Sequence, residues 1–280
     1  MHFLMMIVGL GLAWSVRSFA SGATGNLAKR WQQTLGLFLF SPLLLLMTAI
    51  AILCMGPTGQ MLGHWEGWLS YDLALGFLVW AVASGIKLAW EGHQTVQRLR
   101  HNPVIEVNGN PARLLDTAEL YSAQVGFWQP ELVVSQGLLA TLDEEHLAAV
   151  LVHEHAHAHY HDTFWFFWLG WLRRLTCWLP HTEDLWQDLL MLRELRADQH
   201  AATQVDSLVL AESLLLVVSA PLMQPEVCAA FSWAASRDRL TERIDTLLAD
   251  SAPATSTNGW SMTWLLFVLL PLMTIPFHVG

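Results

Sequence analysis

Two histidines and a carboxylate stand at a spacing that could support metal-dependent hydrolysis. His153, Glu154 and His157 form the pattern H-E-x-x-H. On a helix, positions i and i+4 share one face, so both imidazoles can reach a single zinc ion. Glu154 lies next to the first ligand, where it could take a proton from a zinc-bound water and pass it to a leaving amine. The sequence therefore predicts His153 and His157 as zinc ligands and Glu154 as the catalytic residue.

A second cluster downstream offers what this pattern lacks. A catalytic zinc takes three protein ligands and keeps one position for water. Glu194 and Asp198 stand at i and i+4, and we assign Glu194 as the third ligand. Asp198 would hold the second ring nitrogen of His153 or His157. The metzincin pattern needs a histidine six residues after His157, and that position is Thr163.

The alternating histidines of this stretch also fit a strand with one His-rich face, or a loose metal-binding tract. A helix is favoured because Thr141 and Glu144 fit a capping box and a mostly apolar run follows them. A structural metal site closed by a fourth protein ligand is the alternative. His161 and His200 are the candidates for that ligand.

The composition indicates a membrane protein. Of the 280 residues, 54% are hydrophobic, 14% are charged and 15 are tryptophan. The net charge of −10 argues against nucleic-acid binding. The three cysteines stand far apart, so neither a disulfide framework nor a cysteine zinc site is indicated.

Apolar runs predict a mainly α integral membrane protein. About four transmembrane helices are expected, at about 3–16, 35–55, 73–90 and 260–277. Lys and Arg follow the first and third of these runs, whereas the loop 57–71 carries neither. The positive-inside rule then places residues 91–258 in the cytoplasm.

The remaining segments predict an α+β peptidase domain of the zincin type. Short strands are expected within 103–135, at 104–107 before a turn at 108–111, and at 123–125 and 132–134. The edge of this small sheet could pair with an extended peptide, or the strands could form a plain hairpin that covers the core. We expect residues 164–179 to lie at the membrane interface or in a re-entrant hairpin, because Arg173 and Arg174 interrupt them. Residues 206–220 predict a core helix. The predicted domains are 1–92 with three spans, 93–250 with the peptidase, and 251–280 with a linker and the last span.

Together these motifs resemble the BlaR/MecR-type membrane metallopeptidases, which are gluzincins. The resemblance is carried by Gly126-Phe127-Trp128-Gln129-Pro130, Val133-Val134-Ser135, Gly137-Leu138-Leu139, the H-E-x-x-H helix up to Asp162, and Glu194 to Asp198. Residues 243–248 are also similar to the helix that follows the catalytic residues in that family. The antibiotic sensors carry an extracellular penicillin-binding domain after the last span, and we expect this chain to lack it.

The resemblance implies a zinc-dependent endopeptidase in the cell membrane, with its peptidase domain facing the cytoplasm and a transcriptional repressor or another regulatory protein as its substrate. An HtpX/CAAX-protease-like quality-control enzyme shares the same zinc pattern and is an alternative. A second alternative, of another class, is a non-proteolytic signalling or scaffold protein with a structural metal. The lipid bilayer and a protein or peptide substrate are the expected partners.

Overall fold

The structure is a computed structural model, and it describes residues 2–19, 25–57, 64–219, 237–249 and 262–278. The chain divides into two compact units. One comprises Met1–Leu88, Leu169–Leu189 and Ser256–Gly280, and the other comprises Ala89–Trp168 and Leu190–Thr255.

The first unit is built from long apolar helices. Helices α1 (His2–Ser18) and α2 (Leu27–Met55) pack along each other, and α3 (His64–Arg100) begins in this unit. Arg17 is fully buried and donates to the carbonyl of Phe38 at 3.0 Å, which satisfies part of a guanidinium in an apolar setting.

Two helices of the described chain are long and apolar enough to cross a membrane, Leu27–Met55 and Gly67–Arg100. They contain the predicted spans 35–55 and 73–90 and extend beyond both. The predicted span 3–16 lies in α1, which has only 17 residues. The predicted span 260–277 begins outside the described residues and continues as two 3₁₀ helices, Met262–Leu269 and Leu272–His278. The helices support membrane association, and four spans remain a prediction.

The second unit contains a four-stranded sheet with the order β1-β2-β4-β3. Its strands are β1 (Val104–Val107), β2 (Asn110–Leu115), β3 (Ser122–Val125) and β4 (Glu131–Ser135). Strands β2 and β4 run parallel, whereas the outer pairs are antiparallel. Strand β3 thus lies at one edge of the sheet.

Strand β2 was missed by the sequence analysis, which read residues 108–111 as a turn with no strand behind it. The turn consists only of Asn108 and Gly109, both with positive φ, as in the tightest hairpins. Pro111 then lies inside β2 opposite Glu106, ahead of the residues that pair with β4. A proline is tolerated there because a hairpin leaves alternate backbone N–H groups unpaired.

Two helices follow the sheet directly. Ser135 caps α4 (Gln136–Thr141), and its hydroxyl accepts a hydrogen bond from Leu138 N at 3.0 Å. Helix α5 (Glu144–His159) is capped by Asp143, which accepts from His146 N at 2.9 Å. The expected cap at Thr141 is therefore wrong, because α4 continues through that residue.

The other helices are α6 (Asp162–Leu175), α7 (Thr182–Ala201), α8 (Ser207–Ser219) and α9 (Arg237–Leu248). Helix α8 packs on α5 as the core helix expected at 206–220. Its Leu210 and Leu214 lie in one buried cluster with Ala149 of α5 and Leu247 of α9. This cluster packs against α5 one turn before His153 and so holds the helix that carries His153 and His157 in place.

Candidate metal centre

The two histidines of the H-E-x-x-H pattern meet on the buried face of α5. Their Nε2 atoms lie 3.2 Å apart, and both side chains are buried. The neighbouring His155 and His159 are exposed on other faces of the same helix. The helical spacing thus brings together the pair that the sequence predicted.

Glu194 reaches the same point from α7. Its Oε2 lies 3.4 Å from His153 Nε2, and its Oε1 lies 3.7 Å from His157 Nε2. One ligand atom from each of the three residues lies within 4.8 Å of the other two. At zinc–ligand bonds of about 2.0–2.1 Å, the edge of a tetrahedron measures about 3.3 Å, so this spacing fits a zinc ion.

The second nitrogen of each histidine faces a carboxylate. His153 Nδ1 lies 2.9 Å from Asp198 Oδ1, as the sequence analysis expected of one of the two rings. His157 Nδ1 lies 2.8 Å from Asp162 Oδ2, within hydrogen-bond distance. Carboxylates in these positions fix the ring orientation and leave Nε2 for a metal.

The role of Asp162 was not recognised in the sequence. Helix α5 ends at His159, and His161 adopts a left-handed conformation with φ of 53°. The chain therefore reverses sharply, and Asp162 begins α6 with its carboxylate directed back at His157. Arg196 forms an ion pair with Asp162 and lies 4.2 Å from the centre of the Tyr160 ring. The short spacing between His157 and Asp162 was the available signal.

Arg243 is a further component that the sequence analysis placed only in a helix after the site. It extends from α9 and is buried. Its guanidinium contacts the Asp198 carboxylate through two nitrogens, and its Nη1 lies 3.5 Å from Glu194 Oε2. Arg243 therefore contacts both of the acidic residues that α7 brings to the site, Glu194 and Asp198.

The carboxylates favour the protonated histidines despite burial. Burial is the largest influence on His153 and opposes its charge, but Asp198 and Glu194 together outweigh burial and raise the pKa of His153 to about 9. The pKa of His157 is also raised, because Glu194 and Asp162 outweigh the same effect. A metal that binds the two rings must therefore displace protons.

The acidic residues are held ionised by their neighbours. Burial alone would raise the pKa of Glu194, but Arg193 and the two histidines keep it well below its ordinary value. Burial likewise opposes the ionised form of Asp198, and Arg243 reverses the effect and lowers its pKa. The pocket thus supplies negative charge in a dry setting, which suits a divalent cation.

Glu154 lies beside this group, at the edge strand of the sheet. Its side chain is buried, and its Oε1 accepts a hydrogen bond from the hydroxyl of Ser122 at 2.8 Å. Ser122 is the first residue of β3. The edge strand therefore runs next to the carboxylate that the sequence marked as catalytic, and the role of Ser122 was missed because it depends on this tertiary contact.

The other candidate ligands do not join the group. In the described part of the chain, only His153, His157 and Glu194 meet as a set of three potential ligands. His161 is exposed in the turn after α5. The His200 ring stacks on His159, with ring centres 5.0 Å apart.

Comparison with known proteins gives one family. Residues 94–182 match Peptidase family M48, and the match spans the sheet, α5 and the H-E-x-x-H pattern. It ends before Glu194 and Asp198 and covers less than half of the chain. No curated protein matches the chain. The match supports a metallopeptidase.

Proposed function

We propose that this protein is a membrane-embedded zinc endopeptidase of the gluzincin type. The observation that supports it most is the group formed by His153, His157 and Glu194, with Glu154 adjacent to it. Three protein ligands of this kind are what a catalytic zinc requires, with one position left for water. The M48 match supports the metallopeptidase assignment independently of this geometry.

The residues of the site would have separate roles in peptide hydrolysis. His153, His157 and Glu194 would hold the ion, and Asp198 and Asp162 would orient the two rings. Zinc, when bound, supplies Lewis acidity toward the scissile carbonyl and makes its bound water acidic enough to react near neutral pH. Glu154 would accept the proton of that water and then donate it to the departing amine.

Strand β3 suits an extended peptide substrate. It pairs only with β4 among the described strands, so its other edge is available for backbone hydrogen bonds. Because Ser122 of this strand contacts Glu154, a peptide paired along the edge would pass close to the proposed base. Backbone pairing of this kind binds a substrate by its extended shape.

We further propose that residues 93–250 face the cytoplasm and that residues 57–71 lie outside, from the distribution of Lys and Arg. The sequence analysis took 57–71 as a loop, whereas residues from His64 onward form α3. A cytoplasmic repressor or signalling protein is then the proposed substrate class, through the BlaR/MecR-type resemblance. An impermeant cysteine reagent in intact cells tests the orientation. Labelling at exposed positions of the sheet, with none at 57–71, would reverse it.

Glu154→Gln tests the activity. The variant should retain zinc and lose cleavage, because the amide cannot accept the proton. Glu145→Gln is the matched control, since Glu145 is exposed in the first turn of the same helix. A comparison of the proteomes of cells that carry either variant would show the substrates. A difference in one regulatory protein would indicate regulatory proteolysis, and a difference in many damaged membrane proteins would indicate quality control. Equal cleavage by both purified variants would refute the proposed role, and a zinc-loaded native chain that cleaves nothing would favour a structural metal.

A further inference from the structure

Six aromatic side chains form one cluster on the second unit. Phe127 lies at its centre, with its ring 4.8 Å from Phe167 and 5.0 Å from both Phe164 and Trp128. We call this cluster the aromatic patch; it consists of Phe127, Trp128, Phe164, Trp165, Phe167 and Trp168. Two residues come from the β3–β4 turn and four from the first turns of α6.

The patch leaves large apolar groups in contact with solvent. Trp128 is 77% exposed, Trp165 is 55% exposed and Trp168 is 42% exposed. Residues 126–130 and 163–172 contain no charged residue. A contiguous exposed patch of this kind marks an interaction surface, because leaving such area in water is unfavourable.

The turn that carries Trp128 has a constrained backbone. Gly126 has φ of +134°, and a Cβ at this position would lie 2.8 Å from the carbonyl oxygen of Gln129. Only glycine fits this turn, and Pro130 fixes the backbone where β4 begins. Few backbone conformations are therefore open to the turn on which the exposed Trp128 lies.

We propose that the aromatic patch docks into the interfacial layer of a lipid bilayer. Tryptophan is the side chain most typical of that layer, since its indole combines an apolar body with a polar N–H group. The apolar stretch 163–172 of α6 spans about 15 Å as a helix, half of the roughly 30 Å of a hydrocarbon core. It is too short to cross the bilayer and long enough to lie at its surface.

The connectivity of the chain supports a lipid partner. Only three residues lie between the end of the candidate span Gly67–Arg100 and the start of β1 at Val104. The chain therefore connects the second unit directly to a segment able to enter a membrane. A protein partner would instead need hydrogen bonds, at roughly one per 100–200 Å² of interface. Besides indole N–H groups and backbone, the patch segments offer only Gln129 and Thr163 for this purpose.

Docking at the patch would also fix the distance between the metal centre and the membrane surface. Asp162, which contacts His157, immediately precedes the residues of α6 that carry the patch. The candidate metal site and the lipid contact thus share one helix. Peptide bonds near the membrane surface would be the ones within reach of the site, although the docking itself does not depend on the proposed catalysis.

A fluorescent label beside the patch tests the proposal in the full chain. Cys54, Cys177 and Cys228 are replaced by serine, and a single cysteine is introduced by Gln129→Cys, which leaves every aromatic residue of the patch in place. The labelled protein is reconstituted in nanodiscs whose lipids carry a nitroxide either near the headgroup or deep in the chain. We expect several-fold stronger quenching by the shallow nitroxide than for a label introduced by Asn108→Cys, an exposed turn position of the same unit.

Two further variants separate lipid contact from other causes. Trp128→Ser with Trp165→Ser should reduce the quenching at position 129 toward that at 108. Leu208→Ser, which removes an exposed apolar side chain from α8, should leave the quenching unchanged. Quenching at 129 no stronger than at 108 would overturn the proposal. Shielding of the label from aqueous iodide without quenching by lipid nitroxides would also overturn it, because a protein surface would then cover the patch.

Discussion

Arg243 donates two hydrogen bonds to Asp198, from Nε at 2.7 Å and from Nη2 at 2.8 Å. Both side chains are buried, so each charge depends on the other for compensation. Because Asp198 also contacts His153, this pair links α9 to the histidine face of α5. Helix α9 is therefore a component of the candidate metal centre as well as a packing element.

Removal of this arginine should destabilise the second unit. Arg243→Ala leaves the buried carboxylate of Asp198 without its arginine partner, and breaking a buried pair typically costs about 3–5 kcal/mol. Arg243→Lys should lose less, because it retains the charge and loses the bidentate geometry. Thermal unfolding in detergent measures the effect. Asp245→Asn, at an exposed position of α9, should unfold like the native chain; equal stability of Arg243→Ala would show that the pair contributes nothing.

Metal content should fall in a graded way among the acidic residues. Glu194→Ala removes a ligand and should leave the protein nearly free of zinc, without activity. Asp198→Ala and Asp162→Ala remove the partners of the two rings, and losing such a partner typically costs about 10–100-fold in metal affinity or activity. Zinc analysis of the purified variants decides this. Gln199→Ala, exposed on α7, is the control, and full occupancy in Glu194→Ala would assign the third ligand elsewhere.

Zinc affinity should rise with pH toward about 9. In the metal-free chain the pKa of His153 is raised to about 9, so a proton occupies the ring at neutral pH. Zinc needs the neutral ring, and each displaced proton changes the apparent affinity about tenfold per pH unit. Calorimetry in buffers of different ionisation enthalpy would count the released protons. Zinc binding that is constant from pH 6 to 8 would contradict the raised pKa.

The raised pKa of His153 also makes the stability of the metal-free chain depend on pH. A histidine whose folded pKa exceeds its unfolded value stabilises the fold fully below about pH 6.5, and this contribution is lost as the pH rises through about 9. We therefore expect the rise in melting temperature on adding zinc to be larger at pH 8 than at pH 6. Thermal scans with and without zinc at both pH values measure it, and an equal rise at both would count against the linkage.

Gly137→Ala should disturb the approach of α4 to the segment before β3. A Cβ at this position would lie 2.1 Å from the carbonyl oxygen of Ala118. This is a backbone atom, so relief of the clash requires a shift of the main chain. Overpacking of this kind typically costs about 1–3 kcal/mol. Gly92→Ala is the matched control, because a Cβ there meets no atom within 4 Å. A melting temperature of Gly137→Ala equal to that of the control would contradict this account.

The sequence predicted those parts of the site that depend on local helix geometry. The positions of His153 and His157, and of Glu194 and Asp198, follow from i and i+4 spacing within single helices. Asp162 and Arg243 could not be assigned in the same way. The approach of Asp162 to His157 depends on the left-handed residue His161, and the approach of Arg243 depends on how α9 packs.

The fold was predictable to a similar degree. The apolar helices and three of the four strands follow from runs of apolar and β-branched residues, whereas β2 was obscured by Pro111 close behind a tight turn. The cap of α5 was misplaced by two residues because Thr141 and Asp143 both satisfy the local rule. Because α4 includes Thr141, Asp143 is the residue left to cap α5.

The order of these residues along the chain has a consequence for biosynthesis. Ser122 enters the growing polypeptide before His153, and Arg243 enters long after Glu194. Asp198 must therefore wait for its arginine partner until α9 has been translated and folded back. Until then Asp198 lacks the cation that lowers its pKa, so the pocket reaches its final charge balance only after residue 243 has folded back.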